Sequence, residues 1–288
     1  MGRIWVSAKE KIRSPVVAGM FYPDEKEAVE SRLQSFGLKK GTGTNALAIV
    51  VPHGAWDLSG AVAATAFSAD TDEETENYKT GDISRVVILG PIHTAGEAGI
   101  FFSDSNFFQT PLGRLPVDLK LSEELASCST YFEINDIPHL KEHSVEVLLP
   151  FVKFCFPRVS IVPILISGSK PSQLFALARA LWIVLGPIMD NTLLIVSTGF
   201  SKSQDEKTAL LQAEEFIRLL REKDHEALVS RIYDRRISAC GGALMAAVLQ
   251  SGLLDDTRVS VLPARPVAAR GDEGQIVYYS AVSFLGGH

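Results

Sequence analysis

The sequence predicts an α/β fold: a single domain with a central, mainly parallel or mixed β-sheet flanked by helices. Three observations carry this. Apolar runs of strand length recur at residues 47–51, 86–89, 160–166 and 192–196, as expected of strands buried on both faces. Segments of helical patterning lie between them, which is the alternation that builds a parallel sheet. No repeat, low-complexity tract or linker divides the 288 residues, so 1–288 is read as one domain.

The first strand, 47–51, reads LAIVV and stops at Pro52-His53-Gly54, with an Ala-rich helix expected over 58–68. The acidic stretch 68–82 lacks the spacing of a calcium loop and reads as a solvated surface loop. The second strand, 86–89, runs into Gly90-Pro91-Ile92-His93 and so repeats the pattern of buried strand, proline and histidine. Residues 98–117 hold short β-like pieces broken by turn chemistry at Asp104-Ser105-Asn106 and Thr110-Pro111-Leu112-Gly113, a hairpin-like excursion.

A short helix is expected over 121–127. Another is expected over 142–156, where Val145, Leu148, Leu149, Val152 and Phe156 mark one face and Pro150 kinks or ends part of it. The strand 160–166, a helix over 172–185 and the strand 192–196 continue the alternation, and the last of these ends at Ser197-Thr198-Gly199-Phe200-Ser201-Lys202. Two charged helices fill 205–234. A small-residue helix over 241–254 is entered through Ser238-Ala239-Cys240-Gly241-Gly242, and closing strands at 259–262 and 275–285 flank a loop at 264–274.

Composition narrows the function. With 28 Lys plus Arg against 34 Asp plus Glu, the net charge is -6. No basic block is present, which argues against nucleic acid or an anionic membrane as a partner. The apolar runs are shorter than the roughly 20 residues that span a bilayer, and the N-terminus lacks the pattern of a secretory signal, so a cytoplasmic location is expected. Cys128, Cys155 and Cys240 are odd in number and widely spaced, which suits neither a disulfide framework nor a cysteine-rich zinc site.

In open α/β sheets, ligands bind beyond the carboxyl ends of the strands. His53 and His93 each follow such an end, so adjacent strands would bring both imidazoles to one cleft. A metal site needs a further donor. Cys240, just before a helix start that lowers a thiol pKa, is the candidate. The plainer readings stand beside this one: a histidine after a strand also serves as a loop hydrogen-bonder, and a cysteine as a small packed residue. His143 is the candidate acid/base or binding group facing the cleft, with Lys202 as a further candidate; His139 suits that role less, His225 reads as a surface residue and His288 is terminal.

Taken together, Arg13-Ser14-Pro15-Val16-Val17-Ala18-Gly19-Met20-Phe21-Tyr22-Pro23, Val51-Pro52-His53-Gly54-Ala55-Trp56 with Ser59-Gly60, Leu89-Gly90-Pro91-Ile92-His93 and Thr110-Pro111-Leu112-Gly113 resemble the Memo-like family, known in prokaryotes as AmmeMemoRadiSam system protein B. Glu142-His143-Ser144-Val145-Glu146 with Leu149-Pro150-Phe151, Ile161-Val162-Pro163-Ile164 and Cys240-Gly241 continue the series. The resemblance implies a fold similar to the class III extradiol dioxygenases, with His53, His93 and Cys240 as metal ligands. The implied metal is iron or copper, with zinc as a further option. Trp56, Ser59, Glu142, Ser144 and Phe200 lie in or beside these motifs and are expected to line the substrate pocket.

The chain departs from the family pattern at Gly199 and Lys202, where an Asp and a His are usual, and at Gly54-Ala55-Trp56, where Ala-Gly-Tyr is usual. Three readings follow. One is a metal-binding pocket for a small molecule or peptide with a redox role, one is a metal-dependent dioxygenase or oxidoreductase, and one is a non-catalytic scaffold. The family's name also implies radical S-adenosylmethionine proteins as partners.

Overall fold

The four apolar runs become four neighbouring parallel strands. In the computed structural model, which describes residues 10–68, 82–94, 98–168, 170–270 and 274–286, the strands in chain order are β1 (Ile12–Arg13), β2 (Ala48–Val51), β3 (Arg85–Pro91), β4 (Gly99–Phe102), β5 (Phe107–Thr110), β6 (Gly113–Pro116), β7 (Phe132–Ile134), β8 (Ser160–Ser167), β9 (Thr192–Ser197), β10 (Ser201–Ser203), β11 (Thr257–Arg270) and β12 (Ile276–Gly286). The helices are α1 (Lys26–Ser35), α2 (Trp56–Phe67), α3 (Leu119–Ala126), α4 (Leu149–Cys155), α5 (Pro171–Ala180), α6 (Glu206–Glu222), α7 (His225–Tyr233) and α8 (Gly242–Gln250).

A nine-stranded mixed sheet has β2, β9, β3 and β8 side by side and parallel at its centre. Antiparallel β4 and then β7 extend it beyond β8. On the other side, β12 pairs antiparallel with β2, β10 and β11. A small second sheet joins β1, β5 and β6. Strands from both ends of the range 48–286 therefore share one sheet, with only β5 and β6 between them going to the second, and the described residues fold as one α/β unit.

Strand side chains alternate between faces, so each central strand feeds two cores. Val50, Val87, Leu89, Leu194 and Val196 face the core capped by α5, α6, α7 and α8. Ile49, Val51, Val86, Ile88 and Ile195 face the core capped by α1, α2 and α4. Burial on both faces is why these strands read as unbroken apolar runs.

Several sequence expectations change. The expected loop 264–274 is mostly strand, since β11 runs through to Arg270 and pairs with β12 across a register shift between Leu262 and Val267. The expected helix 142–156 starts only with a 3₁₀ turn at Glu146–Leu148 and α4 from Leu149. Pro150 sits in the first turn of α4, where its missing N–H costs nothing, so it starts the helix rather than kinking it. The short elements β1, α1, β7 and β10 carried too little periodicity to be expected. The interior of the acidic loop, residues 69–81, the N-terminal residues 1–9 and His288 lie outside the described residues.

One helical run, Pro171–Asn191, is long and apolar enough by composition to cross a bilayer, contrary to the sequence reading. Half of it is buried within the fold. Leu174, Leu177, Leu181 and Leu185 from this run pack into the sheet core, as a core helix does.

Candidate metal centre

His53 and His93 leave the carboxyl ends of β2 and β3, and β9 lies between those strands. Glycines allow two further pieces to approach. A Cβ on Gly90 would lie 2.6 Å from Ser144 Oγ, so only glycine lets the 142–145 segment close over the end of β3. A Cβ on Gly241 would lie 2.5 Å from the Ser197 carbonyl oxygen, so only glycine lets the start of α8 press Cys240 against β9.

The outcome is a cluster of imidazoles at the strand ends. One ring nitrogen each from His53, His93 and His143 lies within 4.8 Å of the others. The ring centroids are 5.0 Å apart for His53 and His93, 5.6 Å for His53 and His143, and 4.8 Å for His93 and His143, the last pair stacked. His53 is buried, His143 partly exposed and His93 exposed, so the group opens to solvent on the His93 side.

Each ring is held through Nδ1. His53 Nδ1 lies 2.6 Å from Ser197 Oγ, which donates in turn to the Ser144 carbonyl. His93 Nδ1 and His143 Nδ1 lie 3.0 and 3.1 Å from the same oxygen of Glu142. Hydrogen bonds of this kind fix tautomer and orientation in histidine metal sites and leave Nε2 as the donor nitrogen. Cys240 Sγ lies 3.4 Å from His53 Nε2 and accepts from the Gly199 N–H at 3.1 Å. The residue as a whole keeps solvent exposure, while its Sγ is enclosed between His53 and the Gly199 N–H.

Glu142 is the hub of the arrangement. It is buried and also accepts the backbone N–H groups of His93, His143 and Ser144. Burial alone would raise its pKa, but the bonds and charge supplied by His93 outweigh that and bring it down to about 2. Burial would lower His93, but hydrogen bonds with Cys240 and Glu142 hold it up at about 9. His143 is pushed down to about 4, by burial first and then by neighbouring His53. The Cys240 thiol falls well below its ordinary value because His53 and His93 overcome the penalty of burial.

The donor set fits a transition metal that displaces a proton: His143 is already neutral and Cys240 has a low-pKa thiol, whereas His93, held up at about 9, must give up a proton to ligate. Three nitrogens about 2.1 Å from one metal lie about 3.4–3.6 Å from one another, so a pair at the 4.8 Å limit must close by more than about 1 Å on binding.

The sequence expectation names His53, His93 and Cys240 as ligands and His143 as a proton donor or binding group facing the cleft; the structure groups His53 and His93 with His143, and Cys240 Sγ lies beside His53. The structure places the His143 ring among the other two imidazoles. Its pKa, pushed down to about 4, keeps the ring neutral at neutral pH, the form that ligates a metal or accepts a proton.

The expected pocket-lining residues divide. Glu142 and Ser144 are at the site but hold it from behind. Ser144 is fully buried, its hydroxyl donating to the Pro91 carbonyl. Trp56, Ser59 and Phe200 are corrected. Trp56 is in the core against Tyr22 and Phe151, with Nε1 on the Val147 carbonyl. Ser59 is buried on the Gly54 carbonyl, and Phe200 packs on Phe216. Lys202 is exposed on the edge strand β10, its backbone tied to Ser238. Phe21, from the opening motif and not among the expected site residues, packs against His143 with ring centroids 4.7 Å apart and the planes tilted by 44°.

Fold and site together define an α/β protein with a histidine-rich strand-end pocket able to hold a metal ion. The chain belongs to the Memo-like protein family, whose model matches residues 13–282. It is 34% identical over 253 residues to a MEMO1 family protein of Thermotoga neapolitana, covering 84% of this chain and 88% of that one. A MEMO1 family protein of Thermotoga sp. strain RQ2 is 31% identical over 94% of this chain and 99% of its own. A crystal structure of an uncharacterized protein from Escherichia coli K12 covers 82% of this chain and 98% of its own at 12% identity, with a TM-score of 0.48. That likeness is too slight to bear on function.

Proposed function

We propose that this protein binds one transition metal ion at His53, His93 and His143, with Cys240 as a fourth donor, and receives a small molecule or peptide on the open side of the cluster. The observation that supports this is the convergence of three held rings: one ring nitrogen each from His53, His93 and His143 lies within 4.8 Å of the others, and each ring is bonded at Nδ1 by Ser197 or Glu142. The mixed imidazole and thiolate donors suit iron or copper, with zinc as the redox-inert competitor. Bound iron or copper would supply one-electron redox chemistry. The chain's own residues would orient the imidazoles, hold the Cys240 thiolate beside the Gly199 N–H and leave the His93 side open.

Metal analysis of untagged protein reconstituted with iron, copper or zinc separately tests this reading. Close to one metal per chain is expected, with binding lost in the His53→Ala, Cys240→Ala double variant. Wild-type protein that stays metal-free with all three metals in excess overturns it.

A second reading, a binding scaffold without turnover, is favoured by the wall beside Cys240. Gly199 supplies no carboxylate there, and Lys202 lies exposed on β10 rather than in the cluster. Oxygen uptake with catechol-type substrates and reduced iron separates the two. Turnover that depends on His93 removes the scaffold reading.

A further inference from the structure

His143 is placed differently from the other two imidazoles. His53 and His93 lie within two residues of the ends of central strands, whose ladders fix the backbone. His143 lies between the turn Pro138–Leu140 and the turn Glu146–Leu148, on a segment with no sheet or helix of its own. Such a segment holds one geometry only if other groups satisfy its backbone.

Arg13 does so. Its guanidinium, almost fully buried, donates from Nε to the His139 carbonyl at 2.9 Å and from Nη2 to the Glu142 carbonyl at 3.1 Å, while Nη1 pairs with Glu146. Glu146 works in the opposite direction, since its carboxylate accepts from the Val16 and Val17 N–H groups and from the Tyr22 hydroxyl, each at 2.9 Å. The stretch thus fastened, 16–22, carries Phe21, and the Phe21 ring lies against His143. One ion pair therefore binds the ligand-bearing loop from below and holds an aromatic wall against its imidazole.

We infer that Arg13 and Glu146 are positioning residues for the metal centre, setting the orientation of His143 relative to His53 and His93 through the 139–146 loop and through Phe21. This rests on the metal-binding reading above. It also explains the residue type at 13: three bonds in one plane suit the rigid guanidinium fork and not the single ammonium of lysine. The opening motif of the chain, which otherwise has no part in the site, gains a role.

The test compares wild type with Arg13→Lys in two measurements. In metal-free protein labelled at histidine, the ring signals of His143 are expected to move or broaden while those of His53 and His225 hold. In competition with a chromophoric chelator, the dissociation constant for zinc ion is expected to rise roughly 10- to 100-fold, the range for loss of groups that orient metal ligands. A folded variant with an unchanged His143 signal and zinc affinity within about twofold of wild type overturns the inference.

If wild type binds no zinc, iron or copper, the metal reading falls, and an unchanged His143 ring signal still overturns the positioning role on its own. If Arg13→Lys does not fold, hydrogen exchange in wild type decides. The amides of Val16, Val17, His143 and Ser144 are expected to open together as one unit. Val16 and Val17 exchanging about tenfold or more faster than the other two overturns the inference.

Discussion

The two halves of the imidazole cluster are held by different physics. On one side, His53 and His93 ride on strand ends whose positions are set by parallel ladders and by apolar side chains buried on both faces of the sheet. On the other, His143 rides on an irregular loop held by charge: Glu142 beneath the rings, and Arg13 with Glu146 beneath the loop. A strand end tolerates loss of one polar contact because the ladder remains. A loop built on buried charges does not, because removing one partner leaves the other unpaired in a poorly solvated place.

The largest expected effect follows from this contrast. Glu146→Ala strands the Arg13 guanidinium and three donors from the 16–22 segment, and is expected to cost about 3–5 kcal/mol in denaturant unfolding of the metal-free protein. His93→Ala removes an exposed ring and leaves Glu142 still bonded to the His143 and Ser144 N–H groups. It is expected to cost about 1 kcal/mol or less. Equal losses in the two variants break the comparison.

The halves also differ in the sign of their pH dependence. His139 is fully enclosed in the charged half, with Nε2 donating to the Phe101 carbonyl, and burial pushes it down to about 4. Its neutral form is the one the fold accepts, so its contribution is complete above about pH 6.5 and is lost as the pH falls toward 4. The loss approaches about 3 kcal/mol. His93 has the opposite sign. Its pKa is raised, so its contribution is complete below about 6.5 and is lost as the pH rises through about 9. Unfolding curves at a series of pH values check both, and His139→Gln is expected to flatten the acid limb only.

Next in size is the shared hub. Glu142→Gln keeps the shape of the side chain but removes the charge that orients two rings at once, and metal affinity is expected to fall about 10- to 100-fold. Ser197→Ala removes the partner of one ring on the strand-borne half and is expected to cost less. Chelator competition on the two variants measures the difference, and the reverse order would move the centre of the site from Glu142 to Ser197.

The same division explains what the sequence revealed. His53 and His93 were legible because a strand buried on both faces writes itself as an apolar run, and each run ends at a proline and a histidine. Cys240 was legible because Gly241 and Gly242 mark a helix start. Arg13, Glu146 and Phe21 were not, since their partners lie more than 100 residues away and no local period encodes such bonds. The backbone around His143 is the part the sequence hides, because apolar spacing from Val145 to Phe156 suggests a helix reaching back to Glu142, whereas the helical turns begin at Glu146. Pro150 carried the correcting signal, because proline belongs in the first turn of a helix and so places its start near Leu149. Trp56 was expected at the pocket from its neighbours in sequence, but the first turn of α2 points it into the core.

The smallest effect concerns the two glycines beside Cys240. A methyl group on Gly199 would meet Cys240 Sγ at 3.8 Å and Val277 at 3.9 Å, which is ordinary contact. One on Gly241 would meet the Ser197 carbonyl oxygen at 2.5 Å, and that atom belongs to the β9 backbone. Gly199→Ala is therefore expected to leave unfolding within about 0.5 kcal/mol of wild type, and Gly241→Ala to cost about 1–3 kcal/mol by forcing α8 away from β9. Zinc affinity should follow the same order, because only the Gly241 change moves the thiol relative to His53. If Gly199→Ala is the more damaging of the two, the wall beside Cys240 is closed rather than open, and the strand-borne half of the site is as tightly constrained as the loop that carries His143.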